Sequence, residues 1–252
     1  MNAAVLNNRY VFELNDIIAK LCEKHFLHLA ANKVVDILNM LAPVAIERDQ
    51  SFLNGWNSLQ EDQYMADGGR YRKRRHAVFE VGQALQKPRL IPCQPHYQPK
   101  HYNQLNGGIE RYFAPILPEL IASPTLSALL DFGTQLFHRI TGLSQWRIEL
   151  HQFRIEARDG QQGRPTPEGV HRDGVDYVIV VMIKRVNIKS GATTIYNLQN
   201  QLVGEFTLLH SFDMAIVDDR KVYHGVTPIT AIDVNQEAFR DVLVITYNGV
   251  KY

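Results

Sequence analysis

From residue 146 onward the sequence breaks into short runs: WRIELHQFRIEA, VDYVIVVMIKRVNI, GATTIYNL, GEFTLLH, DMAIVDD, KVYHGVTPI and RDVLVITYNG. Each is rich in Val, Ile, Thr and Tyr and is bounded by turn residues. No segment between them has the length and period of a helix. Parallel neighbours need crossovers of a dozen residues or more, so these strands must pair mainly antiparallel, as a sandwich or barrel. The first half follows different rules. Leu14, Ile17, Ile18 and Leu21 carry the spacing of an amphipathic helix, and Val34, Leu38 and Leu41 suggest a second one ending near Pro43. A third is signalled by Ser123 as cap, Pro124 in the first turn, apolar positions from Leu126 to Ile140, and Gly142 as its end. The expected architecture is a single domain over residues 1–252, mainly β with flanking helices. A helix-rich part, 1–142, packs outside a β core, 146–252.

Composition excludes several classes. With 252 residues and a formal net charge of +1, the chain has no global field to draw it to nucleic acid or an anionic membrane. Its longest uncharged apolar run, Tyr177 to Ile183, is too short to span a bilayer. The opening MNAAVLNNRYVFELND lacks the charged segment and apolar core of a secretory signal. Cys22 and Cys93 form no C-x-x-C pair, so a reducing, cytoplasmic setting is expected. The basic cluster RYRKRRH, Arg70 to His76, reads as a strand with alternating faces rather than a nucleic-acid patch.

The chemistry concentrates in PEGVHRDGVDYVIVVMI. His171 and Asp173 stand two apart at the lip of the best candidate for a buried strand, a spacing that puts both on one face of an extended segment. His224 follows at the end of another candidate strand. Two histidines and one carboxylate, beginning with His-x-Asp, are the donor set of the facial triad that holds non-haem iron(II) and leaves the opposite coordination face open. Arg240 opens a later strand with Val242 and Val244 on its own face, and an arginine there needs an anion. A planar guanidinium suits a two-pronged grip on a carboxylate.

This order of His-x-Asp, His and Arg resembles the iron(II)- and 2-oxoglutarate-dependent dioxygenases of the double-stranded β-helix, or jelly-roll, fold. PEGVHRDGVDYVIVVMIKR, DDRKVYHGVTPI, FRDVLVITYNG, YNQLNGGIERYFAPI and GGRYRKRRHAVFE are similar to the bacterial branch that hydroxylates free L-amino acids. The resemblance covers about residues 60–252. It implies that His171, Asp173 and His224 bind Fe(2+), that Arg240 holds the distal carboxylate of 2-oxoglutarate, and that O2 is the second co-substrate. It further implies hydroxylation of a free aliphatic L-amino acid (isoleucine, leucine or methionine), with release of succinate and CO2. One departure stands out. Many such enzymes have a hydroxyl residue two positions after the arginine, where this chain has Val242.

For the substrate's α-carboxylate the candidates are Arg72 and Arg74 in the basic cluster, and Arg154 beside Gln152, which shares its face on a strand. His96 and His101 are five apart in a Pro-rich loop without a supporting carboxylate, so a second metal site is not expected there. The competing functional readings are a dioxygenase acting on a peptide or protein side chain, and a jelly-roll that binds without catalysing.

Overall fold

The computed structural model describes residues 3–42, 45–83 and 87–250, with side chains from residue 7. Pro43, the expected stop of the second helix, lies outside them. The principal helices are α1 (Ala3–Lys24), α2 (Ala31–Leu41) and α3 (Pro124–Thr141). At the start of α3 the Ser123 hydroxyl accepts from the Leu126 amide at 3.1 Å, and Gly142 ends the helix at φ 74°.

The principal strands are β1 (Phe26–Leu29), β2 (Arg72–Val81), β3 (Trp146–Ala157), β4 (Tyr177–Val186) and β5 (Thr193–Asn197). They continue with β6 (Leu202–Phe206), β7 (Met214–Asp218), β8 (Val222–Val226) and β9 (Ala238–Gly249). A large antiparallel sheet runs β1-β7-β4-β9-β3-β2, and a small one runs β6-β5-β8. The fold is a jelly-roll.

The β core is not confined to residues 146–252 as expected. β1 pairs with β7 and β2 with β3, so both strands come from the part read as helix-rich. Arginines at 72, 74 and 75 hid the depth of β2, yet all three are buried. Arg75 donates to the carbonyls of Ser58 and Pro115, so this basic run faces protein, not solvent.

The two faces of the large sheet have opposite chemistry. Ile148, Leu150, Ile179, Val181, Leu243 and Ile245 are fully buried in one cluster with the three helices. Close approach is enforced at Gly133, where a Cβ would sit 2.4 Å from the Tyr247 hydroxyl. The residues between them, such as Glu149, His151, Val242 and Val244, face a cavity of about 410 Å³ enclosed by the loops and the small sheet. Because side chains alternate along a strand, an apolar core and a polar cavity can share the same strands.

Candidate active site

The chain just before β4 lies against β8. His171 and His224 exchange both backbone hydrogen bonds at 2.9 Å, which sets their rings 4.8 Å apart. Asp173 comes from a turn rather than a continuous strand. Its amide and those of Gly174 and Val175 all donate to the Asp219 carboxylate at 2.8–3.2 Å. Asp219 thus fixes the turn, and Gly174 at φ 84° lets it pass the Tyr102 ring.

The outcome is a compact donor set. Asp173 Oδ1 is 3.5 Å from His171 Nε2, and Oδ2 is 3.4 Å from His224 Nε2. One donor atom from each of the three residues lies within 4.8 Å of the others, the arrangement a metal ion requires. His171 Nδ1 is 3.0 Å from the Gly169 carbonyl, which can only accept, so the proton is on Nδ1 and Nε2 is free to ligate. His224 Nε2 is buried without an aligned hydrogen-bond partner. Burial opposes charge on His224, but the Asp173 and Asp219 carboxylates, each 3.4 Å from Nε2, outweigh it and hold its pKa at about 10. His171 is raised against the same opposition, and Asp173 is held well below the ordinary carboxylate range. Such a carboxylate-rich pocket favours positive charge, whether carried by protons or by a divalent ion.

Arg240 lies in the same cavity with Val242 and Val244. It is 3% exposed, its Nε has no partner, and no carboxylate among the described residues pairs with it. Burial, together with nearby Arg185, pushes it down to about 10, so it remains a cation at neutral pH. A buried cation without a counter-ion is costly unless a ligand supplies one.

Of the four substrate candidates, Arg72 and Arg74 line the cavity. Arg154 and Gln152 do not. Arg154 is gripped by Asp241 through two 2.7 Å bonds, and Gln152 donates to the Gly55 carbonyl. Their common face was read correctly, but it is the face turned away from the cavity. The opposite face of β3 carries residues that sequence reasoning passed over. Glu149 Oε2 lies 3.1 Å from His76 Nε2 and 2.7 Å from His96 Nδ1, and His151 completes the group. His101 is not part of it. Period-2 alternation in WRIELHQFRIEA would have found Glu149 and His151 had the apolar positions Ile148 and Leu150 been assigned to the helix-covered side.

Arg111 is the other omission. It is 2% exposed, lines the cavity, and has an unpartnered Nε. Among the described residues, Asp62 is the one carboxylate at ion-pair distance from Arg72 or Arg74, and Arg111 has none that close, with Asp62, Glu168 and Glu149 acting on it from farther away. Asp62 bonds Arg72 at 2.7 Å and lies 3.6 Å from Arg74.

Residues 54–246 match the family model of the 2OG-Fe dioxygenases. Among curated proteins the chain is 26% identical over 156 residues to L-isoleucine-4-hydroxylase from Bacillus thuringiensis. It is 30% identical over 158 residues to 3(1)-hydroxy-L-isoleucine 4-dioxygenase from Pantoea ananatis. Each match takes in 61% of this chain and, respectively, 65% and 63% of the relative's length. Among solved structures, a bsmA homolog from Methylobium petroleophilum superposes with a TM-score of 0.83 at 37% identity, covering 94% of this chain and 93% of that one. IDO from Bacillus thuringiensis gives 0.76 at 19% identity, covering 94% and 100%.

Proposed function

The chain belongs to the 2OG-Fe dioxygenase family, and from that premise we propose that it hydroxylates the side chain of a free L-amino acid. In this reading His171, Asp173 and His224 hold Fe(2+), and Arg240 holds the distal carboxylate of 2-oxoglutarate. Once bound, iron(II) with 2-oxoglutarate and O2 supplies the oxidising power for C–H hydroxylation, with release of succinate and CO2. The chain's own residues bind, orient and exclude water. His171 presents Nε2 because Gly169 takes its other N–H, and Asp219 holds the turn that aims Asp173. Val242 and Val244 keep the approach to Arg240 dry.

The observation that carries the reading is Arg240, a buried guanidinium without a carboxylate partner among the described residues, in the same cavity as the His-Asp-His set. The substrate class rests on complementary charges. Arg74 and Arg111 offer unused N–H groups, and Glu168 offers an unpartnered Oε2, so the cavity can receive both the carboxylate and the ammonium of an amino acid. About 410 Å³ suits a co-substrate and a small amino acid better than a peptide. The names of the curated relatives favour isoleucine or a close analogue, with leucine and methionine next. Two exposed free thiols, Cys22 and Cys93, fit the reducing, cytoplasmic setting that belongs to this reading. The test is succinate formation with iron(II), 2-oxoglutarate and each common L-amino acid in turn. One or a few aliphatic amino acids should stimulate it and emerge hydroxylated. Stimulation by a peptide but by no free amino acid would overturn the substrate class.

A further inference from the structure

Above the cavity, the short strands His96–Tyr97 and Glu110–Arg111 pair as a ribbon, and the loop between them folds back on Gln98. The Gly108 amide donates to the Gln98 carbonyl at 2.8 Å. At Gly107 a Cβ would sit 2.4 Å from the Asn103 carbonyl oxygen, so the loop is tightly closed. Gln98 is 7% exposed, and both ends of its side-chain amide are engaged. Nε2 donates to the Asp173 carbonyl at 3.1 Å and to Asp173 Oδ1 at 3.2 Å. Oε1 accepts from Asn103 Nδ2 at 3.1 Å and from Arg111 at 3.3 Å.

The chemistry of the neighbours fixes the orientation of this amide. A carboxylate and a carbonyl only accept, and a guanidinium only donates, so the nitrogen must face Asp173 and the oxygen must face Arg111. A residue with a donor at one end and an acceptor at the other is needed, and the side chain must span the gap. Gln98 therefore joins two groups with different tasks: the carboxylate of the candidate metal site and a buried cation facing the substrate side of the cavity.

We infer that Gln98 is a positioning residue that orients Asp173 toward the metal and couples it to an anion bound at Arg111. The inference rests on the amino acid reading above for the identity of that anion, and on the hydrogen bonds alone for the orientation of Asp173. Arg111 carries the anion end of the argument because it is buried, its Nε has no hydrogen-bond partner, and no carboxylate among the described residues forms an ion pair with it. A substrate carboxylate at Arg111 competes for the N–H groups that Gln98 uses, so filling that site changes the tension on Asp173.

The probe is Co(II) alone, titrated into the metal-free full chain and followed by its absorption bands, then repeated with the amino acid found by the succinate screen. Gln98→Ala should weaken Co(II) binding by about 10–100-fold, as loss of a residue that orients a metal ligand does. Isosteric Gln98→Glu should weaken it as well, because it sets a carboxylate against Asp173. This second variant decides the matter if the Ala protein folds poorly. In the wild-type protein the amino acid should shift the Co(II) spectrum. In the Gln98 variants it should still bind, with KM within a few-fold, but the shift should vanish and succinate should exceed hydroxylated product. Arg111→Gln should act chiefly on amino acid KM. Wild-type Co(II) affinity and spectrum in both Gln98 variants would overturn the inference. If no amino acid is turned over, the substrate reading fails while the Co(II) titration still decides the role of Gln98.

Discussion

Two histidine–carboxylate clusters stand at the same cavity, His171–Asp173–His224 and His76–His96–Glu149–His151, the latter with His76 behind its lining, and each brings its donor atoms within 4.8 Å of one another. By residue type they are near twins, but their electrostatics have opposite sign. Around the first stand Asp219 and Glu168, and both of its imidazoles are pushed toward protonation. Around the second stand Arg74, Arg111 and Arg147. Burial first pushes its imidazoles down, and these guanidiniums add to it against the opposing pull of Glu149 on His76 and His96, leaving His96 at about 4. Arg74 also occupies His151 Nδ1 at 2.5 Å, and Arg147 bonds Glu149 at 3.2 Å. A divalent cation suits the first surroundings and an anion suits the second. Metal-ligand residue types therefore do not define a metal site; the charge around them does.

The largest expected effect separates the clusters directly. Asp173→Ala or His224→Ala should abolish hydroxylation, while Glu149→Gln should leave measurable turnover and raise the amino acid KM. Steady-state kinetics of the three variants check this, and the reverse ranking would break the comparison. Next in size is Arg240→Ala, which removes a buried charge-assisted pair worth about 2–5 kcal/mol, or roughly 30-fold to several thousand-fold in the 2-oxoglutarate requirement. Arg240→Lys should rescue only part of it, since an ammonium lacks the two-pronged geometry.

The opposite signs should also appear in the pH dependence of folding of the metal-free protein. His96 has a folded pKa of about 4, below the ordinary 6.5, so its contribution is present above pH 6.5 and is lost as pH falls through 4. At about 1.4 kcal/mol per unit the loss is on the order of 3 kcal/mol. His224, raised to about 10, contributes fully below pH 6.5 and loses that contribution as pH rises through 10. Urea midpoints of the metal-free protein should therefore peak near pH 6.5, and His96→Gln should flatten the acid side. A midpoint that does not change between pH 6.5 and 4.5 would contradict the assignment. The smallest effect belongs to the far face of β3. Arg154→Lys loses one prong of the grip on Asp241 and should cost about 1 kcal/mol or less, with amino acid KM unchanged.

The jelly-roll was legible because its strands are short, β-branched and sharply punctuated, and the His-Asp-His-Arg order lay along them. Less legible was which face of each strand turns inward. On β3 the sequence alternates Ile148 and Leu150 with Glu149 and His151, and alternation alone does not say that helices cover the first pair. That ambiguity put Arg154 and Gln152 on the cavity side, where Glu149 and His151 stand. Arg111, Gln98 and Asp219 were illegible for another reason. Their roles depend on loops that bring them beside residues 13 to 75 positions away. No local period encodes such contacts.

The central claim is that surrounding charge, not donor type, selects the metal site. It is tested most directly by counting Co(II) bound per chain in the wild type, Asp173→Ala and Glu149→Gln. The account predicts one equivalent in the wild type, none in Asp173→Ala and one in Glu149→Gln. Two equivalents in the wild type, or one that survives Asp173→Ala and disappears in Glu149→Gln, would contradict it.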